Sequence, residues 1–198
     1  MSTINKNFPY GRLIFFVTEN AHKFNEARSV LAEYNVAVAM IKMRTLEVQD
    51  DDIENIARIR VLQAVREVNL PVIVEDAGLF IDALGGFPGP YSSYVYRKIG
   101  LGGILKLLNG VNDRSAKFKS VVAFCDPNNN LKCFHGIVEG RISLEARGSG
   151  GFGFDPIFEP NESPGKTFGE MTTEEKCRFS HRARALREFA KWYRSWQA

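Results

Sequence analysis

The sequence predicts an α/β protein, a sheet with helices on its faces, and three observations carry that expectation. Apolar runs of strand length alternate with amphipathic helical segments through the first half of the chain. Those runs are nearly continuous, as in interior strands covered on both sides. In the second half the pattern changes to a two-residue alternation broken by a turn, the mark of an antiparallel hairpin with one wetter face.

The first apolar run, "RLIFFVT" from Arg12 to Thr18, predicts an interior strand. It delivers the chain to "ENAHKFNEARSVLAEYN", where Phe24, Ala27, Val30, Leu31 and Tyr34 recur at helical spacing and Asn20 is placed to cap the start. "VAVAMIKM" is a second run of strand length. In "DDDIENIARIRVLQAVREV", Ile53, Ile56, Ala57, Ala64, Val65 and Val68 share one helical face, with acidic residues at the positive end of the helix dipole. "VIVEDAGLFIDALGGFPGPYSSYV" starts as a third strand, places Glu75 and Asp76 at its expected end, and runs into a loop of Gly and Pro. "AKFKSVVAFCD" sets Phe118, Ser120, Val122 and Phe124 against Lys117 and Lys119; "PNNN" then turns the chain, and "LKCFHGIVEGRIS" returns. "GSGGFGFDPIF" is a Gly-rich loop, Thr172 and Glu175 in "TTEEKCRF" suit a capping box, and "SHRARALREFAKWYRSW" is a final amphipathic helix.

Composition narrows the function. The 198 residues, 44% hydrophobic and 25% charged, suit one globular domain spanning 1–198, with residues 1–11 expected to be a flexible leader. The formal charge is only +3, and Lys and Arg are spread out, so neither a basic tail nor a stable nucleic-acid partner is expected. Cys125, Cys133 and Cys177 are too few and too widely spaced for a disulfide framework or a C-x-x-C zinc site. No apolar run approaches the roughly 18 to 20 residues of a membrane span, and "MSTINKNFPYGR" lacks the apolar core of a signal peptide. The expected location is the cytoplasm.

Ligands bind open α/β sheets beyond the C-terminal strand ends, and three groups of residues fall there. Glu75 and Asp76, with the flexible Gly78 and "GGFPGPYSS" behind them, suit Mg²⁺, a hard cation that takes a few carboxylate oxygens and leaves the rest of its shell to water and phosphate. Glu47, just past the second strand, joins them if the strands are parallel; on position alone an exposed acid in an acidic loop is the better reading. In "TENAHKF", Thr18, Asn20, Lys23 and the free N–H groups of a helix start suit a phosphate, although the Walker spacing is absent. Phe152 and Phe154 in the Gly-rich loop offer a ring for stacking on a base, and His181 and Arg182 at a helix start can donate to purine O6 and N7. The same features also suit a lid over a core and a simple helix cap.

Together "VTENAHK", "LEVQ", "VEDAGLFIDALGGFPGPYSS", "GFGFDPIF", "EEK" and "SHRARAL" resemble, in order and approximate spacing, the inosine triphosphate pyrophosphatase family, from about Leu13 to Trp192. The resemblance implies a two-lobed fold around a long mixed sheet and a homodimer. It also implies Mg²⁺-dependent conversion of ITP, dITP and XTP to monophosphate and pyrophosphate, which clears deaminated purines. Carried over by position, Thr18, Asn20 and Lys23 resemble the triphosphate-binding set. Glu47 and Asp76 resemble the metal ligands, with Asp76 also the general base. Phe152 resembles the stacking aromatic, with Gly153, Phe154 and Asp155 completing that wall. Lys176, His181 and Arg182 resemble the groups that hold the triphosphate and the 6-keto edge. Two departures stand out. Ala77 replaces a common family Ser, leaving only its backbone N–H to serve the nucleotide, and the helix after Glu47 carries Arg58 and Arg60 where some members have Lys. Two alternatives stay open: a related pyrophosphatase for other modified nucleotides, and a nucleotide- or RNA-binding module without turnover.

Overall fold

A computed structural model describes residues 12–46 and 48–196. The expected leader and the candidate ligand Glu47 lie outside the described residues. The chain forms one seven-stranded mixed sheet in the order β2-β1-β3-β5-β6-β7, with the short β4 paired to β3. β1 (Arg12–Val17) runs parallel to both β2 (Val36–Ile41) and β3 (Val72–Ile81). β3, β5 (Ser115–Cys125), β6 (Leu131–Ile142) and β7 (Phe158–Pro160) are antiparallel in turn, and β4 (Pro88–Gly89) is antiparallel to β3.

Local chemistry accounts for the ends of the elements. Asn20 accepts a 3.1 Å bond from the Lys23 N–H and starts α1 (Ala21–Ala32), and Asn35 closes the following turn with a left-handed φ of 55°. Asp52 caps α2 (Ile53–Val68) through a 2.8 Å bond from the Glu54 N–H, and Asn69, also left-handed, ends it. The expected hairpin is β5 and β6; Asp126 Oδ1 accepts from the N–H groups of Asn128 and Asn130 at 3.0 and 2.9 Å to fold the turn. The capping box of Thr172 and Glu175 opens α4 (Thr173–Cys177), and Ser180 caps α5 (His181–Ser195).

Two elements differ from expectation. Residues from Ser92 onward form a helix, α3 (Ser92–Leu107), where only a loop was read up to "YSS"; a kink at Gly100, with φ of 61°, interrupts its apolar period. The acidic pair also does not end its strand. β3 continues to Ile81 because β5 pairs with it along the whole length, whereas β1 pairs with β3 only at Val72 and Ile73. Past the end of β1, the β3 edge is uncovered by any strand until Leu79 and Phe80 meet β4, and Glu75 and Asp76 lie in that gap. They are at the C-terminal edge of the parallel half, as the fold requires, but within a strand.

Three cores surround this frame. α1 and α5 cover one face with Ile14, Phe16, Ile73, Val122 and Phe124 beneath them, while α2 covers the other over Val17, Val72, Val74, Val121 and Ala123. Beyond the gap, Leu79, Ile81, Phe118, Val138 and Ile142 pack with Ile104 of α3 and with Phe154, Phe158 and Phe168, forming a second lobe. The long β5 and β6 belong to both lobes. Among the described residues no helix is long and apolar enough to cross a membrane.

α5 approaches the sheet most closely at Gly136 of β6, where an added Cβ would meet the His181 carbonyl oxygen at 1.9 Å and the Ala185 nitrogen at 2.6 Å. Both neighbours are backbone and cannot swing aside. Gly136→Ala should therefore push the start of α5 off the sheet, costing about 1–3 kcal/mol or more. Thermal unfolding would show this as a midpoint several degrees lower; an unchanged midpoint would mean that the helix is not held at this spacing.

Candidate active site

Successive residues of a strand point to opposite faces, and this separates the acidic pair. Glu75 shares its face with Ile73, under α1 and α5, whereas Asp76 shares its face with Val74, under α2. Each carboxylate therefore meets different partners, and both line one cleft of about 1120 Å³ between the lobes.

Glu75 has a fully buried side chain. Lys23 Nζ lies 2.8 Å from its Oε2, Arg182 Nε lies 3.1 Å from its Oε1, and the Ser120 hydroxyl donates to Oε1 at 2.6 Å. Lys23 also donates to the Glu75 carbonyl at 3.1 Å. Burial pushes the Glu75 carboxyl up, but Arg182 and Lys23 outweigh it and hold the group far below the usual carboxylate range. The charges continue inward. Arg182 Nη1 reaches Glu26 Oε2 at 2.6 Å, and Lys176 Nζ reaches Glu26 Oε1 at 2.8 Å and Asp155 Oδ2 at 2.7 Å. Burial opposes the charge on Arg182 and Lys176, yet the neighbouring carboxylates hold both cations above their ordinary values. Three carboxylates, Glu26, Glu75 and Asp155, thus face three cations, Lys23, Lys176 and Arg182.

On the other face, Arg60 of α2 pairs with Asp76 Oδ1 and donates through Nε to the Thr45 hydroxyl at 2.7 Å. Asp76 Oδ2 is buried and has no hydrogen-bond partner among the described residues. Burial raises the Asp76 carboxyl above its ordinary value, with Arg60 and Lys23 opposing. A buried, unpartnered carboxylate oxygen in a cleft wall is costly, and it fits a hard cation.

The other expected residues gather at the same cleft. Thr18 and Asn20 use their side-chain oxygens as acceptors for the N–H groups of Asn20 and Lys23, each at 3.1 Å. Their own donor hydrogens remain for an anion, which needs donors. Ala77 lines the cleft beside Ser120 of β5. Phe152 sits between Gly151 and Gly153, whose φ values are 66° and 61°, and its N–H donates to Asp155 Oδ2 at 2.7 Å. Phe154 lines the same wall, as expected, while its ring also packs into the second-lobe core and meets Tyr96 edge-on at 5.4 Å. His181 is stacked on Phe118 at 4.6 Å; burial, then Arg182 and Lys176, hold its pKa well below the ordinary value, so the ring is neutral at neutral pH. Its Nδ1 is buried with no partner among the described residues.

Sequence reasoning missed Glu26, Ser120 and the role of Arg60. A usable signal existed for two of them. Glu26 falls on the same helical stripe as Ala27, Val30 and Leu31, and Arg60 falls between Ala57 and Ala64 on the stripe of α2. A charged residue on an apolar stripe must find a buried partner.

The depressed pKa values of Glu26 and Glu75 imply acid sensitivity. Their stabilising contribution is complete above the ordinary value of 4.5 and is lost as pH falls through the lower folded values. Asp155 has the opposite sign: burial holds its carboxyl above the ordinary value, so its ionisation costs stability at higher pH. We expect the melting temperature to fall steeply below pH 4.5, with a shallower acid limb in Glu26→Gln. Glu26→Ala, which takes one of two carboxylate partners from each of two buried cations and leaves a net positive charge in the core, should cost about 3–5 kcal/mol in denaturant titration.

The chain was compared with known proteins. The model of the Ham1 family matches residues 14–192. The dITP/XTP pyrophosphatase of Methanopyrus kandleri is 48% identical over 92% of this chain and 96% of its own length. That of Thermococcus kodakarensis is 52% identical over 89% of this chain and 95% of its own. The solved Ham1 protein of Staphylococcus aureus superposes with a TM-score of 0.79 at 27% identity, covering 93% of this chain and 99% of that one. The HAM1 protein of Coxiella burnetii gives 0.80 at 28% identity, with 93% and 100% covered. The motif resemblance, the mixed-sheet fold and these relatives agree, and the chain belongs to the Ham1 family.

Proposed function

We propose that the protein is a Mg²⁺-dependent nucleoside triphosphate pyrophosphohydrolase. It converts ITP, dITP and XTP to the monophosphate and pyrophosphate and so removes deaminated purines from the nucleotide pool. The observation that carries this reading is Asp76 Oδ2, a buried and unpartnered acceptor in the wall of the cleft that also holds the Phe152 ring. The names of the 46–52% identical relatives support the substrate class. A single domain, a cytoplasmic location and a homodimer belong to the same reading.

Charge balance supports a divalent cation. Glu26, Glu75 and Asp155 already match Lys23, Lys176 and Arg182, and Arg60 matches Asp76; among the described lining residues this leaves Arg44 and Arg97 outside any ion pair, with Glu19 opposite in sign, less positive charge than a triphosphate needs. Asp76 and Glu47 are the residues that would hold Mg²⁺, which when bound supplies Lewis-acid polarisation of phosphate oxygens. Glu75 is excluded from that set by its three partners.

In the reaction, water attacks the α-phosphorus, the bond from that phosphorus to the bridging oxygen breaks, and pyrophosphate leaves. Asp76 accepts the proton of the attacking water; a carboxyl raised by burial is a stronger base for this task. Lys23, with the free donors of Thr18 and Asn20 and the N–H groups at the start of α1, binds the phosphate chain. Lys176 lies beneath the Phe152 loop with its charge offset by two carboxylates, so its part is to fix that loop and the adjoining end of the triphosphate site.

Base selection falls to Phe152, His181 and Arg182. The ion pairs to Glu26 and Glu75 fix the guanidinium, and the Phe118 stack fixes the imidazole plane. Fixed donors facing a 6-keto oxygen are satisfied by inosine or xanthine, and equally by guanine's O6, so guanine has to be rejected at its 2-amino group. Adenine's amino group would leave those donors unpaired, which is a strong basis for rejection.

The test is ITP hydrolysis beside GTP and ATP at equal concentration, with and without Mg²⁺. We expect Mg²⁺-dependent pyrophosphate from ITP with GTP and ATP largely spared, and a loss of about 10²- to 10⁴-fold in kcat for Asp76→Asn at unchanged fold. Orthophosphate as the direct product, or near-normal turnover by Asp76→Asn, would overturn the mechanism.

A further inference from the structure

The Phe152 ring is held in place on one side of the loop and covered on its face by a residue that the proposed reaction does not use. Phe152 is anchored through its N–H to Asp155 Oδ2, at 2.7 Å, and that carboxylate is held in turn by Lys176. Lys176 Nζ and Arg182 Cζ lie 4.9 and 5.3 Å from the ring centre. The imidazole of His22 is stacked on the same ring, with centroids 5.3 Å apart and planes inclined by 21°.

His22 stands on the first turn of α1, is exposed, and makes no hydrogen bond through its side chain among the described residues. The stack on Phe152 is the aromatic contact that holds its ring. Ring centroids at this separation are in direct aromatic contact, so no base fits between the two rings. A purine that stacks on the face covered by His22 must therefore displace the imidazole.

We propose that His22 is an internal competitor for the nucleobase: it occupies the Phe152 face in the empty protein and sets base affinity by how readily it gives way. This rests on the reading of Phe152 as the base-stacking residue. When a ring must first leave, apparent affinity falls by the fraction of molecules in which the face is free. A simple aromatic stack biases that fraction by about two- to tenfold. A purine recovers the lost stacking area with its larger ring, whereas a smaller pyrimidine recovers less, so the displaced imidazole also favours purines.

The experiment measures binding of inosine monophosphate by calorimetry, and KM and kcat for ITP, in the full chain. His22→Ala should tighten inosine monophosphate and lower KM for ITP by about two- to tenfold, with kcat moving far less. His22→Phe, a stronger stacking ring, should restore the competition and return KM to the wild-type value or above. Tripolyphosphate, which has no base, should bind all three proteins alike. Weaker or unchanged inosine monophosphate binding by His22→Ala would overturn the role of His22. Phe152→Ala separates the two readings: if it binds inosine monophosphate as well as the wild type does, the base site itself is misplaced. If it loses binding while His22→Ala is unchanged, only the competitor is wrong.

Discussion

A carboxylate with no exposed surface stays ionised only if cations come to it, and Glu75 imposes that condition on half of the molecule. Its partners arrive from α1 as Lys23, from α5 as Arg182 and from β5 as Ser120. Arg182 then requires Glu26, Glu26 requires Lys176, and Lys176 requires Asp155, which holds the Phe152 loop. The chain of obligations ties five separate segments, α1, α4, α5, β5 and the Phe152 loop, to the centre of β3. Such a network is weak evidence for net stability, since apolar packing can do as well. Its value here is positional: every member has a fixed partner, so the side chains around the cleft are set before anything binds.

Unequal strand lengths create the space that this network surrounds. β1 stops at Val17 while β3 runs on to Ile81 beside β5, so the sheet is full width on one side and open on the other. The two lobes pack their cores on either side of the opening, and the long β5 and β6 hold them together. Because adjacent residues of β3 face opposite ways, the opening is bordered by a neutralised carboxylate on one face and an available oxygen on the other. Two identical functional groups thus acquire different jobs from their parity along the strand.

Much of this was legible in the sequence. Asn20, the acidic start of α2, the capping box at Thr172 and the "PNNN" turn all act through bonds within a few residues, and the structure places each as read. The site residues read from the motifs, Glu47 aside, also converge on one cleft. The misses are long-range. Whether Glu75 ends its strand depends on β5, more than 40 residues away in sequence, as its pairing with Val122 shows. Glu26 and Arg60 have their partners, Arg182 and Asp76, in other elements, which no local pattern can name. Phe152 and Phe154 both line the cleft as read, but only the packing of the second lobe makes Phe154 part of a core as well. α3 was overlooked because Gly100 breaks the period that would have announced it.

The near-even matching of charge around the cleft, where only Arg44, Arg97 and Glu19 among the charged lining residues described stand outside the ion pairs, has a kinetic consequence. A site whose positive and negative groups cancel at close range projects little field into solvent beyond a Debye length, and the whole chain carries only +3. Abundant anionic metabolites are therefore not drawn in ahead of rare ones. Encounters follow the ordinary diffusive frequency of each species, and discrimination is exercised afterwards, through how long each visitor stays.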